Sequence, residues 1–197
     1  MNSNQVLIWL SSLIALLLYY PLISGILKGE IKQSVATWIL WVSLDTIALV
    51  SIIMQKGNYL LLVFYCTCGT IVTLSLVYKR LFSWTRFESF VLGLVVICLV
   101  VWGLSGSRWA TIASTIAVCI SGAPQIRDSW RTPDRTTGLI YMGYVLANSL
   151  SFFGGKTWTI EERFYPGMMA LLCLTIATAS FRKKDQKSPV ISVTAPL

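Results

Sequence analysis

The sequence predicts an all-helical membrane protein with seven transmembrane helices, arranged as a 3+1+3 parallel repeat of two three-helix bundles, on three observations. The 197-residue chain is 55% apolar and only 12% charged, a balance foreign to water-soluble domains of this size. Hydropathy divides it into seven apolar segments. The stretches that begin at Pro21 and at Pro124 superimpose without a gap at an interval of 103 residues, which sets Ser34 on Thr137, Trp38 on Tyr141, Trp41 on Tyr144, Asp45 on Asn148 and Tyr78 on Phe181.

The segments run at about 5–27, 35–55, 58–78, 87–105, 109–126, 137–155 and 164–181, each long enough at about 1.5 Å per residue to cross ~30 Å of hydrocarbon. None alternates strictly, and all exceed the length of a barrel strand, so helices are expected. The first follows Met-Asn-Ser-Asn-Gln, which has no positive leader, and is expected to stay as a span rather than be cleaved. Its Pro21 removes a hydrogen bond and predicts a kink near the end of the span, and Pro124 predicts the equivalent kink in the fifth. The second segment carries Trp38, Trp41 and Asp45 at i, i+3 and i+7, on one helical face. The sixth carries Tyr141, Tyr144, Asn148 and Ser151 on the corresponding face.

The fourth segment, about 87–105, links repeat 1 (about 5–80) to repeat 2 (about 109–182). Four helix starts separate the repeats, so they enter the membrane in the same direction, and residues 1–182 form one domain. Residues 183–197 lose hydrophobicity and read as a flexible cytoplasmic tail.

All five cysteines lie in apolar segments, and Cys66 and Cys68 point to different faces of one helix. With no histidine in the chain, neither a disulfide framework nor a metal site is expected, and no cofactor. Lys28, Lys32, Lys79, Arg80, Arg86, Arg127, Arg131, Arg135, Arg182, Lys183, Lys184 and Lys187 fall at one end of the spans; Lys56, Arg108, Lys156 and Arg163 fall at the other. Twelve against four places the N-terminus outside and the C-terminus in the cytoplasm. The net charge of +8 is then orientation signal and lipid-headgroup contact, and no nucleic-acid partner is expected.

Asp45 is the sharpest candidate, because the other seven carboxylates lie in loops or at span ends. It stands near mid-bilayer, where an ionised Asp costs about 2.5–3.5 kcal/mol on insertion scales. A group that offsets this cost by taking up a proton can couple protons to transport. The structural alternative is a neutral Asp that only ties helices together. Trp41, Tyr144, Trp38, Tyr141, Asn148 and Ser151 would line a pocket for a small polar solute, the repeat axis bringing the two faces together. An interfacial aromatic belt explains Trp38 and Tyr141 as well as a pocket does, and Trp41 and Tyr144, a turn deeper, less well. Pro21 and Pro124, with Gln125, would act as paired hinges at the cytoplasmic mouth.

Pro124-Gln125 continues to Trp130-Arg131-Thr132 and to the helix start at Thr137-Gly138, and with seven spans in a 3+1+3 repeat this resembles the PQ-loop and SWEET-like transporter superfamily over nearly the whole chain. The resemblance implies a cavity between the two bundles and a carrier or facilitator of sugars, cystine or cationic amino acids. In repeat 1 the pair is Pro21-Leu22 rather than Pro-Gln. Sugar-carrying members place an asparagine in the third helix of each unit, where this chain offers Cys68, Gly69 or Thr70 and Cys173 or Thr175. Asp45 and Asn148 instead look like the Asp and Asn of the proton-coupled exporters, with the halves exchanged. The expectation is therefore a proton-coupled secondary transporter of an amino-acid-like or sugar-like metabolite, with a SWEET-like facilitative sugar transporter, and a receptor or sorting protein of the same fold, as alternatives. The partners expected are a small-molecule substrate, protons and the bilayer, and self-association into a homo-oligomer stays open. Enzyme activity is not expected, since the chain has no histidine, no paired carboxylates within a span and no nucleotide loop. The tail carries no lysosomal sorting signal, which favours a bacterial inner membrane over a eukaryotic endolysosomal one.

Overall fold

The computed structural model describes residues 2–29 and 34–182, and all regular structure among them is helical. In chain order the helices are α1 (Ser3–Lys28), α2 (Val35–Met54), α3 (Leu60–Tyr78), α4 (Arg86–Ser105), α5 (Ser107–Ser121), α6 (Ala123–Arg131), α7 (Arg135–Gly154) and α8 (Ile160–Phe181). Six runs are long and apolar enough to cross a membrane: α1, α2, α3, α4, α5 with α6 as one run of 25 residues, and α8. α7 has the length but is less apolar, because it gives positions to Thr136, Thr137, Asn148, Ser149 and Ser151; it lies against α1 and α8. Lys32 and the tail expected at 183–197, with Lys183, Lys184 and Lys187, lie outside the described residues.

The helix boundaries follow local chemistry. Gly29 closes α1 at φ 78°, a left-handed position that glycine takes without strain. Ser34 opens α2 by accepting from the Ala36 N–H, and Thr85 with Glu88 forms a capping box at the start of α4. Asp134 opens α7: its Oδ2 accepts from the Thr137 N–H at 2.7 Å and the Thr137 hydroxyl at 2.8 Å, bonds that hold its carboxyl below the ordinary range. Pro21 lies inside α1, as expected. Pro124 does not kink the interior of a helix. The run breaks at Gly122, and Pro124 falls in the first turn of α6, where a missing N–H is tolerated.

The interval between the two halves also changes along the chain. Pro21 and Pro124, and the ends of α3 and α8 at Tyr78 and Phe181, keep the interval of 103. Between them the interval is 100: Ser34 and Asp134 cap α2 and α7, these helices end at Met54 and Gly154, and α3 and α8 begin at Leu60 and Ile160. Three residues fewer join α6 to α7 than join α1 to α2, and α8 recovers them by being three residues longer than α3.

In cross-section α3 lies between α1 and α2, while α8 lies between the α5–α6 run and α7. The sets meet where α1 packs on α7 and α2 packs on α5; α4 lies outside, on α2 and α5. The approach of α1 to α7 depends on small residues, since a Cβ on Gly143 would stand 2.8 Å from Leu18 and one on Gly154 2.8 Å from Ile8. The Thr37 hydroxyl donates to Glu88 Oε1 at 2.8 Å, tying α4 to α2.

One end of the bundle is sewn shut. Asn58 Nδ2 donates to the carbonyl and the hydroxyl of Ser151, each at 3.1 Å, and the Asn58 N–H reaches the Glu161 carbonyl at 3.2 Å. Arg163 donates to the carbonyls of Thr157 (2.9 Å), Gly155 (2.7 Å) and Phe152, with its guanidinium 4.0 Å from the centre of the Trp158 ring. On the α2–α5 side, Gln55 Nε2 bonds the Thr111 hydroxyl at 2.9 Å.

The Gly154 contact predicts that Gly154→Val, which must push α1 away from α7, lowers thermal stability in detergent by about 1–3 kcal/mol. Gly103→Ala, where a Cβ meets nothing, provides the control and is expected to leave the melting temperature unchanged or slightly raised.

Candidate functional site

A cavity of about 460 Å³ opens into the bundle from the end opposite the Asn58 and Arg163 ties. Pro21, Gln125, Thr136 and Thr137 frame its mouth, at the C-terminal part of α1, the start of α6 and the start of α7. Its wall continues with Trp38, Trp41, Tyr141 and Tyr144 and with Asp45, Tyr65 and Met169. Of the residues expected from sequence, Asp45, Trp41, Tyr144, Trp38, Tyr141, Pro21 and Gln125 all line this one space.

Asp45 sits half-way along α2 and faces the cavity, and its Oδ1 accepts a 2.8 Å hydrogen bond from the Tyr165 hydroxyl of α8. It is not the most enclosed carboxylate. Glu88 and Glu162 are only 7% and 6% exposed. These two are bound at helix starts: Glu88 Oε2 accepts the Thr85 N–H at 2.7 Å, and Glu162 Oε2 accepts the Lys156 N–H at 3.0 Å. Both are thereby accounted for as structural groups, and among the described residues Asp45 is the only carboxylate that lines the cavity.

Asn148 and Ser151 are not in the cavity wall. Asn148 is fully buried between α7 and α3, its Nδ2 donating to the Tyr65 hydroxyl oxygen at 2.7 Å and to the Tyr144 carbonyl at 2.8 Å. Ser151, three residues from the end of α7 at Gly154, receives Asn58. The shorter interval explains both displacements: three residues turn a helix face by about 60°, so the face of α7 that truly answers Trp38 and Asp45 is rotated from the one the interval of 103 selects. Pro124 also stays out of the wall, while its neighbour Gln125 enters it and donates from Nε2 to the Ser129 hydroxyl at 3.2 Å.

Three tyrosines that sequence reasoning passed over complete the site. Tyr19 and Tyr65 join the wall, and Tyr165 holds Asp45. Their bonding is reciprocal: Tyr165 of α8 reaches the polar residue of α2, and Tyr65 of α3 reaches the polar residue of α7. Tyr65 and Tyr165 stand 100 residues apart, so the interval of the helix starts would have found them. The rings of Tyr19, Trp38, Trp41, Tyr65, Tyr141 and Tyr144 form a continuous wall with neighbouring centroids 5.4–6.4 Å apart. Among the described residues no basic side chain lines the cavity.

Comparison of the chain with protein-family models, with curated proteins and with solved structures returned no match.

The Tyr165–Asp45 bond predicts a measurable coupling. In a double-mutant cycle of Tyr165→Phe and Asp45→Asn, read by thermal unfolding in detergent, the single variants are expected to be non-additive by about 0.5–3 kcal/mol. Additivity would mean that the hydroxyl and the carboxylate do not act on each other.

Proposed function

We propose that the protein is a secondary transporter of the PQ-loop type that moves a small polar metabolite by alternating access and couples its passage to a proton on Asp45. The observation that carries this reading is a cavity open at one end, reaching a mid-bundle carboxylate, and closed beyond it by side-chain ties. A carrier needs such an arrangement, because a path open at both ends would leak and a fully buried carboxylate would exchange neither proton nor solute.

The packing supports a 3+1+3 organisation of seven spans, α7 included. Both sets place their last helix between the other two, and the contacts of α1 with α7 and of α5 with α2 exchange under a twofold relation. In this reading α4 is the linker and the cavity lies on the pseudo-twofold axis. The open end is the one that carries most of the Lys and Arg, and so faces the cytoplasm. Pro21 and the Gly122–Pro124 break supply weak points in α1 and in the α5–α6 run, where each helix can bend as the halves rock. The change of state requires Asn58 and Arg163 to release their carbonyls while the aromatic mouth closes.

The test is solute-driven proton movement in proteoliposomes loaded with a pH indicator and screened against amino acids, sugars and amines. At least one solute is expected to move protons with the native chain. Asp45→Asn is expected to abolish the proton signal while the protein remains folded. Unchanged proton movement in Asp45→Asn would sink the coupling assignment.

A further inference from the structure

We infer that the cavity takes a small organic monocation, an amine or quaternary ammonium without a carboxylate, which replaces a proton on Asp45; its transport, though not its binding, rests on the carrier reading above. The argument starts from the wall. Trp38 and Trp41 meet at 5.4 Å and 66°, Tyr19 and Tyr144 at 5.9 Å and 78°, and Tyr141 and Tyr144 at 6.0 Å and 57°. Such angles are the usual edge-to-face packing of aromatic pairs, but all of these rings also line the cavity, where the negative faces of aromatic rings attract a desolvated cation.

Charge narrows the choice further. Asp45 is the one formal charge on the cavity surface among the described residues, and no Lys or Arg stands in the wall to receive an anionic group. A ligand carboxylate or phosphate would be desolvated beside Asp45 with no counter-charge, whereas an ammonium supplies the charge that Asp45 lacks. A sugar could bond the tyrosine and threonine hydroxyls of the wall but would leave the charge of Asp45 without a counter-charge. Here Asn148 is turned out of the wall, and Gln125 already donates to Ser129. Trp41 Nε1 is buried without a partner among the described residues, and this N–H suits a neutral oxygen elsewhere on the same cation.

The surroundings of Asp45 make its two occupants exclusive. Among the described residues the titratable groups near Asp45 are Tyr19 from α1, Tyr65 and Cys66 from α3, Cys119 from α5, Tyr144 from α7, and Tyr165 from α8: hydroxyls and thiols, with no second carboxylate or cation. One carboxylate can be neutralised by a proton or by an ammonium. When the cation binds, the proton leaves to cavity water, and when the cation departs a proton returns, so the stoichiometry of exchange is set by a single group.

Choline, a quaternary ammonium with a hydroxyl and no carboxylate, is the probe. It is titrated into the purified full chain in detergent and followed by calorimetry, with betaine and glucose as comparators. Choline is expected to bind saturably, more weakly as pH falls because protons occupy Asp45, and at least about tenfold more tightly than betaine or glucose. Asp45→Asn is expected to weaken choline by at least about tenfold, and Tyr144→Leu by about fivefold, while Tyr144→Phe, which keeps the ring, retains it. Betaine or glucose binding as tightly as choline, choline binding unaffected by Asp45→Asn, or no choline binding to folded protein would each overturn the assignment. Radiolabelled flux in proteoliposomes separates the two claims: choline bound but not carried keeps the ligand class and removes the carrier reading, whereas flux of betaine or glucose without choline binding does the reverse.

Discussion

A carboxyl group half-way along a helix long and apolar enough to cross a membrane has to be solvated by the protein or by water the protein admits. Tyr165 covers one oxygen at 2.8 Å, and the cavity gives the group access to the open end. Several features of the bundle follow from that one requirement. α8 must lie close enough to α2 to deliver a hydroxyl. The helices between Asp45 and the open end must stand apart, and their inner faces carry large rings that fill space without sealing it. Beyond Asp45 the bundle has to be tight, which small residues achieve: Ala48 and Ser51 on α2, Ala110 and Ser114 on α5, and Gly154 on α7 are all buried.

The two halves solve the same problem with different chemistry. Each sends a tyrosine from its last helix to a polar residue on the middle helix of the other, Tyr65 to Asn148 and Tyr165 to Asp45. On the Asn148 side, Nδ2 bonds the Tyr65 hydroxyl and the Tyr144 carbonyl, while its buried Oδ1 has no partner among the described residues. On the other side, Asp45 keeps a face on the cavity. The two tyrosine bonds are alike in placement, while the side chains they meet differ: a carboxylate that lines the cavity on one side and a buried amide on the other.

Much of this was legible in the residues, and the failures are instructive. Helix positions came from hydropathy, because a spanning helix must be apolar along its length, and the structure moves most ends by only a residue or two. Asp45 was legible because a lone mid-span carboxylate is costly, and Trp38 and Trp41 because their spacing shares its face. Asn148 and Ser151 were misplaced because the interval was fixed by Pro21, Pro124 and the basic helix ends, where it is 103, while the helices between them follow 100. A shift of three residues is invisible to hydropathy and decisive for facing. Tyr19, Tyr65 and Tyr165 were missed for another reason: within an apolar run, a tyrosine that packs and one that donates to a carboxylate look the same until the neighbouring helix is placed.

The same physics explains why the closed end is built from backbone carbonyls rather than ion pairs. Arg163 spends its guanidinium on three main-chain carbonyls and on the Trp158 ring, and Asn58 on the carbonyl and hydroxyl of Ser151. The Arg163 bonds have a charged donor and are stronger than neutral ones, but every acceptor is neutral and water can replace each bond when helices part. A buried pair of opposite charges would leave two costly ions on separation, so a gate made from one would resist opening. In the carrier we propose, neutral acceptors would keep the end shut while leaving the energy of opening within reach of what a small solute and a proton could supply by binding one state better than the other.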